Sequence, residues 1–390
     1  MYSILSVDDE LDMEMLITQK FRKQIKNNEY CFYFAHNGIE ALTQLEKHPE
    51  IFLVLSDINM PEMDGLTFLS EIKLLKKNEI RTVMVSAYGD MENIRTAMNR
   101  GAFDFVTKPI NFDDLEITLK KTLDEIETYK KFQNDRDKLI SIQKDLAIAY
   151  DIQQSMLPKK FPAFPDRKDF DLHGLLEPAK FVGGDLFDFF LIDEDHLFFM
   201  IGDVSDKGVP AALFMAISKT LFKSHYSCNP HQDIAEVAKK INRTLATDNS
   251  SLMFVTTFIC ILDLKTGDVD YVDGGHEQPI ILRAGNEIEV LKKVTNLPMA
   301  IDPDFPYVVS TFHLNPGDAI LLYTDGLEDA LNIESKRYTI KPSIEVLKSI
   351  PANETPMNIN NALLAKIKEY IGDVNQFDDI TLITVRFNGN

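Results

Sequence analysis

The sequence predicts two unlike domains joined by a long helix, and three observations carry that fold class. About 125 N-terminal residues alternate short β-type runs with amphipathic stretches, the (βα)5 pattern of a doubly wound parallel α/β sheet. Residues 112–157 contain neither Gly nor Pro. Beyond the Pro-rich stretch 158–165, β-type runs arrive with helical patterns grouped between them, which predicts an α+β layered sandwich. The 390 residues, at about 150 per domain, leave room for two sizeable cores and a connector.

Taken in order, strands are expected at 4–7, 30–35, 51–56, 82–86 and 103–107. Their apolar runs lack strict alternation, as strands buried on both faces do, so any site falls at the strand carboxyl ends. The next segment opens with Asp113 and Asp114 and is stopped by Pro158, the signals of one long helix. Leu139, Ile142, Leu146, Ala149, Gln153 and Met156 follow a 3,4,3,4,3 spacing, the mark of a coiled-coil seam. Such a helix reaches about 65 Å. Further strands are expected at 197–201, 253–262, 267–272, 280–283, 307–312, 319–323 and 381–387, with helices at 210–224, 233–247 and 358–371.

Hydrophobic residues make up 45% and charged residues 26%, ordinary globular usage. Lys+Arg 41 against Asp+Glu 61 gives a net charge of −20, a field that repels nucleic acid and anionic membrane. Cys31, Cys228 and Cys260 are too scattered for a disulfide framework or a Cys-rich zinc site. The acidic N-terminus and the short apolar runs point to a cytoplasmic, unexported protein with no membrane span.

A first group of chemical residues gathers at predicted strand ends. Asp8 and Asp9 follow the first strand, Asp57 the third, Ser86 closes the fourth, and Lys108 with Pro109 follows the fifth. In a doubly wound sheet these converge, placing three carboxylates and one ammonium in one crevice. Hard oxygen ligands suit Mg²⁺, which would bring a phosphoryl donor to Asp57 as nucleophile, with Lys108 pairing the transferred group and Ser86 donating to it. Val7-Asp8-Asp9-Glu10, the run Asp57-Ile58-Asn59-Met60-Pro61-Glu62-Met63-Asp64-Gly65, Ser86-Ala87 and Thr107-Lys108-Pro109 resemble a two-component receiver domain over about a third of the chain. The resemblance implies a flavodoxin-like fold, phosphorylation of Asp57, and Mg²⁺ on Asp9, Asp57 and the Asn59 carbonyl with Asp8 in the same acidic set. It also implies a switch pair, Ser86 and Phe105.

The C-terminal region repeats aspartate beside glycine or at a strand edge: Gly183-Gly184-Asp185, Gly202-Asp203-Val204-Ser205-Asp206-Lys207-Gly208, Thr324-Asp325-Gly326 and Asp378-Asp379-Ile380-Thr381. Glycine permits turns that aim neighbouring carboxylates and carbonyls at one point. An all-oxygen cluster without paired His or Cys favours Mg²⁺ or Mn²⁺ over zinc, and two such ions about 4 Å apart activate a bridging water for attack on phosphorus. Other phosphoryl chemistries leave no trace. The places six residues after each cysteine hold Asn37, Ile234 and Thr266, so there is no Cys-x5-Arg, and no P-loop is present.

In order and context these motifs resemble the bacterial SpoIIE-like branch of the PPM, metal-dependent, serine/threonine protein phosphatases, from about residue 150 onward. Ile152-Gln153-Gln154-Ser155-Met156-Leu157-Pro158, Ala211-Ala212-Leu213 and Gly275-His276 share in the match. It implies Asp185, Asp203, Asp325 and Asp378 as metal ligands, the Val204 carbonyl completing one ion, and Asp379 as a neighbour. Where the family often has Asn-x-Pro after Gly-His, this chain has Glu277, Gln278 and Pro279, an added carboxylate that bears on substrate choice. His276 reads either as a general acid or as a structural hydrogen-bonding residue, and Lys180 as a phosphate contact or a solvated lysine.

The whole reads as a response regulator with a phosphatase output: receiver at 1–122, helical linker at 123–157, phosphatase at 158–390. By resemblance the partners are a histidine kinase and a phosphorylated STAS-type anti-sigma-factor antagonist, with a homodimer through the linker. The rival is a non-enzymatic adaptor. A transcription factor is disfavoured by the charge and by the lack of a separate C-terminal helix-turn-helix segment.

Overall fold

The structure is a computed structural model that describes every residue except 75–78, 88–89, 229–231, 293, 295 and 390. It divides into two compact units, Met1–Ser141 and Ile142–Asn390.

In the first unit β1 (Tyr2–Val7), α1 (Leu11–Lys20), α2 (Arg22–Lys26), β2 (Tyr30–Ala35), α3 (Gly38–Lys47), β3 (Ile51–Asp57), α4 (Gly65–Leu74), β4 (Arg81–Ala87), α5 (Met91–Asn99) and β5 (Asp104–Lys108) follow one another. The strands form a parallel sheet in the order β2-β1-β3-β4-β5. Ile4, Leu53, Leu55, Val83 and Val106 face one core, and Leu5, Val7 and Val54 face another against Ala41, Leu45, Phe68 and Ile72. Helices on both faces explain why the apolar runs do not alternate.

Helix α6 (Phe112–Met156) is continuous over 45 residues, as the absence of Gly and Pro predicts. Its start contributes Leu115, Leu119, Leu123 and Ile126 to the first core. The expected seam is not one stripe. Leu139 and Ile142 are 61% and 54% exposed, whereas Gln153 is buried by hydrogen bonds within the second unit and Leu157, just past the helix, enters that unit's core.

The second unit holds β6 (Phe170–Glu177), β7 (Leu186–Leu191), β8 (His196–Val204), α7 (Val209–Cys228), α8 (Ile234–Ala246), β9 (Val255–Asp263), β10 (Asp268–Gly274), β11 (Ile280–Leu282), β12 (Ile288–Val290), β13 (Ser310–His313), β14 (Ala319–Tyr323), α9 (Lys341–Ser349), α10 (Pro356–Ile371) and β15 (Ile380–Phe387). Two antiparallel sheets, β13-β10-β9-β8-β7 and β12-β11-β14-β15-β6, pack face to face. Strand parity divides the side chains between cores. Leu197, Phe199 and Ile201 of β8 meet Ile320, Leu322, Ile383 and Val385 between the sheets. Phe198 and Met200 turn outward to Met215 and Phe222 of α7 and Ile241 of α8, while Leu321 and Leu382 turn to Ile359, Leu363 and Ile367 of α10.

Most strands begin and end within a few residues of expectation, but β6, β7, β12 and α9 were not anticipated. Asp171 and His173 dilute the apolar signal of β6, which is defined by pairing along its whole length with β15. Pro342 reads as a breaker, yet it sits in the first turn of α9, where its missing N–H costs nothing. The strand expected at 307–312 starts only at Ser310. Tyr307 is instead a buried loop residue whose hydroxyl donates to the Leu297 carbonyl at 3.0 Å.

Candidate functional site

At the carboxyl ends of the parallel strands, one oxygen each of Asp8, Asp9 and Asp57 lies within 4.8 Å of the others. Lys108, ending β5, places Nζ 2.6 Å from Asp57 Oδ2, 3.0 Å from Asp8 Oδ2 and 3.1 Å from Glu10 Oε1. Burial opposes the lysine charge, but its bonds to Asp57, Asp8 and Glu10 outweigh that and raise its pKa. Burial likewise raises Asp8. The Asn59 amide donates to Asp57 Oδ1 at 3.3 Å. Ser86 follows Val85, the β4 partner of Asp57, and its buried hydroxyl has no hydrogen-bond partner among the described residues. Phe105, opposite Met84 on β5, is 37% exposed. Four carboxylates against one ammonium, all oxygen donors, fit a hard dication, and the unpaired Ser86 hydroxyl fits a phosphoryl oxygen. Glu10 is a member of this group that motif reading did not single out.

The second cluster forms where both antiparallel sheets end together. Asp203 is the penultimate residue of β8, Asp325 follows β14 by two, Asp378 and Asp379 precede β15, and Asp185 precedes β7. Asp185 is buried, and its Oδ2 accepts from Thr324 Oγ1 at 2.8 Å and Thr381 Oγ1 at 2.5 Å. The two threonines therefore hold the carboxylate, a role their motif positions did not reveal. Asp379 Oδ1 accepts from Ala179 N at 2.8 Å and Oδ2 from Gly184 N at 3.1 Å. Both oxygens thus anchor the loop leading to Asp185. That approach requires glycine, because a Cβ on Gly183 would lie 1.7 Å from Asp379 Oδ2. Gln153 of α6 ties the same loop, donating to Gly183 O at 2.7 Å and accepting from Gly183 N at 3.2 Å.

The carboxylates raise one another's proton affinity. Burial, then Asp203 and Asp379, push Asp185 well above the aspartate range. Burial with Asp325, Asp378 and Asp379 pushes Asp203 up to about 7. Asp325 rises through burial and Asp378, and Asp379 chiefly through burial. Among the described residues the only ion pair these five acids make is Lys207 Nζ to Asp378 Oδ2, 2.6 Å. Clustered carboxylates, Asp185 and Asp379 buried and Asp203, Asp325 and Asp378 half-buried, with so little counter-charge fit divalent cations bound through oxygen. The Val204 carbonyl lies beside the Gly184 backbone in the same corner.

His276 is buried and bridges the sheets. Nε2 is 3.1 Å from the Tyr323 carbonyl, two residues before Asp325, and Nδ1 is 2.9 Å from Thr256 Oγ1, on the residue paired with Asp203. A carbonyl only accepts, so Nε2 carries the hydrogen. Burial pushes the pKa down to about 4, which favours the neutral ring, and the two hydrogen bonds tie the end of β14, before Asp325, to the strand beside Asp203. Lys180 is exposed on the wall of a cleft of about 930 Å³ that Tyr150, Phe181, Gly208 and Gln376 also line.

The parallel sheet with its acid–lysine crevice and the double-sheet sandwich with its aspartate corner define a receiver domain followed by a PPM-type serine/threonine phosphatase domain. The chain belongs to the family Stage II sporulation protein E (SpoIIE), matched at residues 193–388, and residues 4–120 match the response regulator receiver domain. It is 28% identical over 260 residues to phosphoserine phosphatase RsbU of Bacillus subtilis, covering 66% of this chain and 74% of RsbU. It is 29% identical over 266 residues to protein IcfG of Synechocystis sp., covering 61% of this chain but only 40% of IcfG's length. The SiaA-PP2C domain of Pseudomonas aeruginosa shares the fold, at TM-score 0.56 and 21% identity over 64% of this chain and 98% of that domain. Among the described residues no helix is long and apolar enough to cross a membrane.

Proposed function

We propose that phosphorylation of Asp57 controls metal-dependent hydrolysis of phosphoserine or phosphothreonine on a partner protein. The observation that carries the reading is the convergence of Asp185, Asp203, Asp325 and Asp378 from both sheets beside a single ammonium, with burial and neighbouring carboxylates raising the pKa of Asp185, Asp203 and Asp325. Asp203, Asp325, Asp378, Asp185 and the Val204 carbonyl would hold two Mn²⁺ or Mg²⁺, with Asp379 steadying the loop. Bound there, the ions supply a water acidic enough to attack phosphorus. In the receiver, Asp8, Asp9, Asp57 and Asn59 would hold Mg²⁺, with Ser86, Phe105 and Lys108 responding to the phosphoryl group. The domain limits we adopt are 1–122, 123–157 and 158–390.

A receiver takes its phosphoryl group from an upstream donor, here a histidine kinase. Similarity to RsbU supports a partner-switching substrate, which we take to be a STAS-type anti-sigma-factor antagonist. Exposed Leu139 and Ile142, which open the expected seam, support a homodimer through α6. The test is phosphate release from a phosphoserine peptide with Mn²⁺, which Asp203→Asn and Asp325→Asn should each abolish while unfolding stays cooperative. Activity in both variants, or in excess chelator, would sink the assignment.

A further inference from the structure

We infer that Lys207 is the side chain that takes hold of the substrate's phosphoryl oxygens, an inference that rests on the phosphatase reading above. Lys207 lies in the turn after β8 between two residues of left-handed backbone, Asp206 at φ 68 and Gly208 at φ 85. This turn carries the ammonium back to the start of β15. There Nζ lies 2.6 Å from Asp378 Oδ2 and 2.9 Å from the Phe377 carbonyl, and it stands 4.3 Å from the centre of the Phe377 ring. The carboxylate, carbonyl and ring fix the head of a normally flexible side chain.

An ammonium has three N–H donors, and the described residues supply two acceptors, so one donor is left for an incoming oxygen. The side chain is 37% exposed, so that donor is reachable from solvent. Charge gives the reason such a donor is needed. A phosphomonoester dianion must approach a corner built from Asp185, Asp203, Asp325 and Asp378. With Asp379 beside them the corner holds five carboxylates, so two dications leave it one negative charge in excess, and no other lysine or arginine pairs with these acids among the described residues. Lys207 therefore cancels the charge that would otherwise repel an incoming anion. Lys180, the alternative cation, stands exposed on the cleft wall with no acid of the corner as partner.

The experiment uses the full chain with Mn²⁺, comparing wild type, Lys207→Met, Lys207→Arg and Lys180→Met. Four quantities are read: KM and kcat on a phosphoserine peptide, the inhibition constant of inorganic phosphate, Mn²⁺ affinity by electron paramagnetic resonance, and the unfolding midpoint. A charge-assisted hydrogen bond lost from the bound anion should raise both KM and the phosphate inhibition constant of Lys207→Met about tenfold or more. Its Mn²⁺ affinity should stay within about twofold or tighten, because an ammonium leaves Asp378. Lys207→Arg should recover most of the phosphate binding, and Lys180→Met should resemble wild type. An unchanged phosphate inhibition constant in Lys207→Met overturns the inference, as does a defect confined to Mn²⁺ affinity or folding. A wild type that neither releases phosphate nor binds it with Mn²⁺ overturns the phosphatase reading itself.

Discussion

Replacing Gly183 with alanine puts a methyl carbon 1.7 Å from Asp379 Oδ2 and 2.5 Å from its Cγ, far inside van der Waals contact. Either the loop or the carboxylate must move. If the carboxylate swings aside and finds new partners, the cost is that of local overpacking, about 1–3 kcal/mol. If it loses both amides, Ala179 N at 2.8 Å and Gly184 N at 3.1 Å, two charge-assisted hydrogen bonds go at about 1.5–3 kcal/mol each, or roughly 3–6 kcal/mol in all. Hydrogen exchange reads these cases directly, since the Ala179 and Gly184 amides report their own bonds. We expect exchange of each to speed by about tenfold to somewhat over a hundredfold, with weaker Mn²⁺ binding because Asp185 is carried on the same loop. Wild-type protection of both amides together with unchanged Mn²⁺ affinity would refute the argument that Asp379 anchors this loop.

Other expectations follow from the same contacts. His276 has its pKa lowered to about 4 by burial against an ordinary value near 6.5, so the unfolded chain binds more protons between those limits. The stability it contributes is present above about pH 6.5 and lost as pH falls toward 4, at most about 3 kcal/mol, and urea titrations of His276→Gln should show a shallower acid decline. Thr324→Val removes a donor to the buried Asp185 carboxylate and should lower stability by about 1.5–3 kcal/mol in calorimetry. Ser86→Ala removes a hydroxyl without a partner among the described residues, so melting should change by less than about 0.5 kcal/mol while the response to beryllofluoride disappears. One Ala inserted after Lys138 turns the rest of α6 by about 100° and should uncouple phosphatase rate from beryllofluoride, whereas seven inserted residues should largely restore it. Equal responses from the two insertions would reject transmission through the helix.

The acid–lysine crevice was legible because each of its main groups lies within one or two residues of a predicted strand end, and strand order brings those ends together. Only Glu10, whose reach to Lys108 depends on side-chain geometry, escaped. The aspartate corner was legible as a set of acids, but not in its internal division of labour. Asp379 reads like its neighbour Asp378, and only the fold gives its two oxygens to backbone amides some 200 positions away. Thr324 and Thr381 read as strand-end residues until β14 and β15 pair and bring both hydroxyls to Asp185. Gln153 fits a heptad register by spacing alone. Its amide instead meets a loop 30 positions on, because periodicity records which face a residue occupies and not what covers that face.

Helix α6 belongs to two cores at once, giving Leu115, Leu119, Leu123 and Ile126 to the first unit and the Gln153 anchor to the second. Between them, positions 134–145 are exposed throughout. A crossover that joins a foreign sensor module to this output, by evolution or in the laboratory, leaves both halves complete only if it falls inside that window. Upstream it strips one hydrophobic core of its last helix, and downstream it removes the side chain that steadies Gly183. The interchangeable part is therefore defined by a stretch of solvated helix about three turns long, within which neither core constrains composition but the register fixes the length.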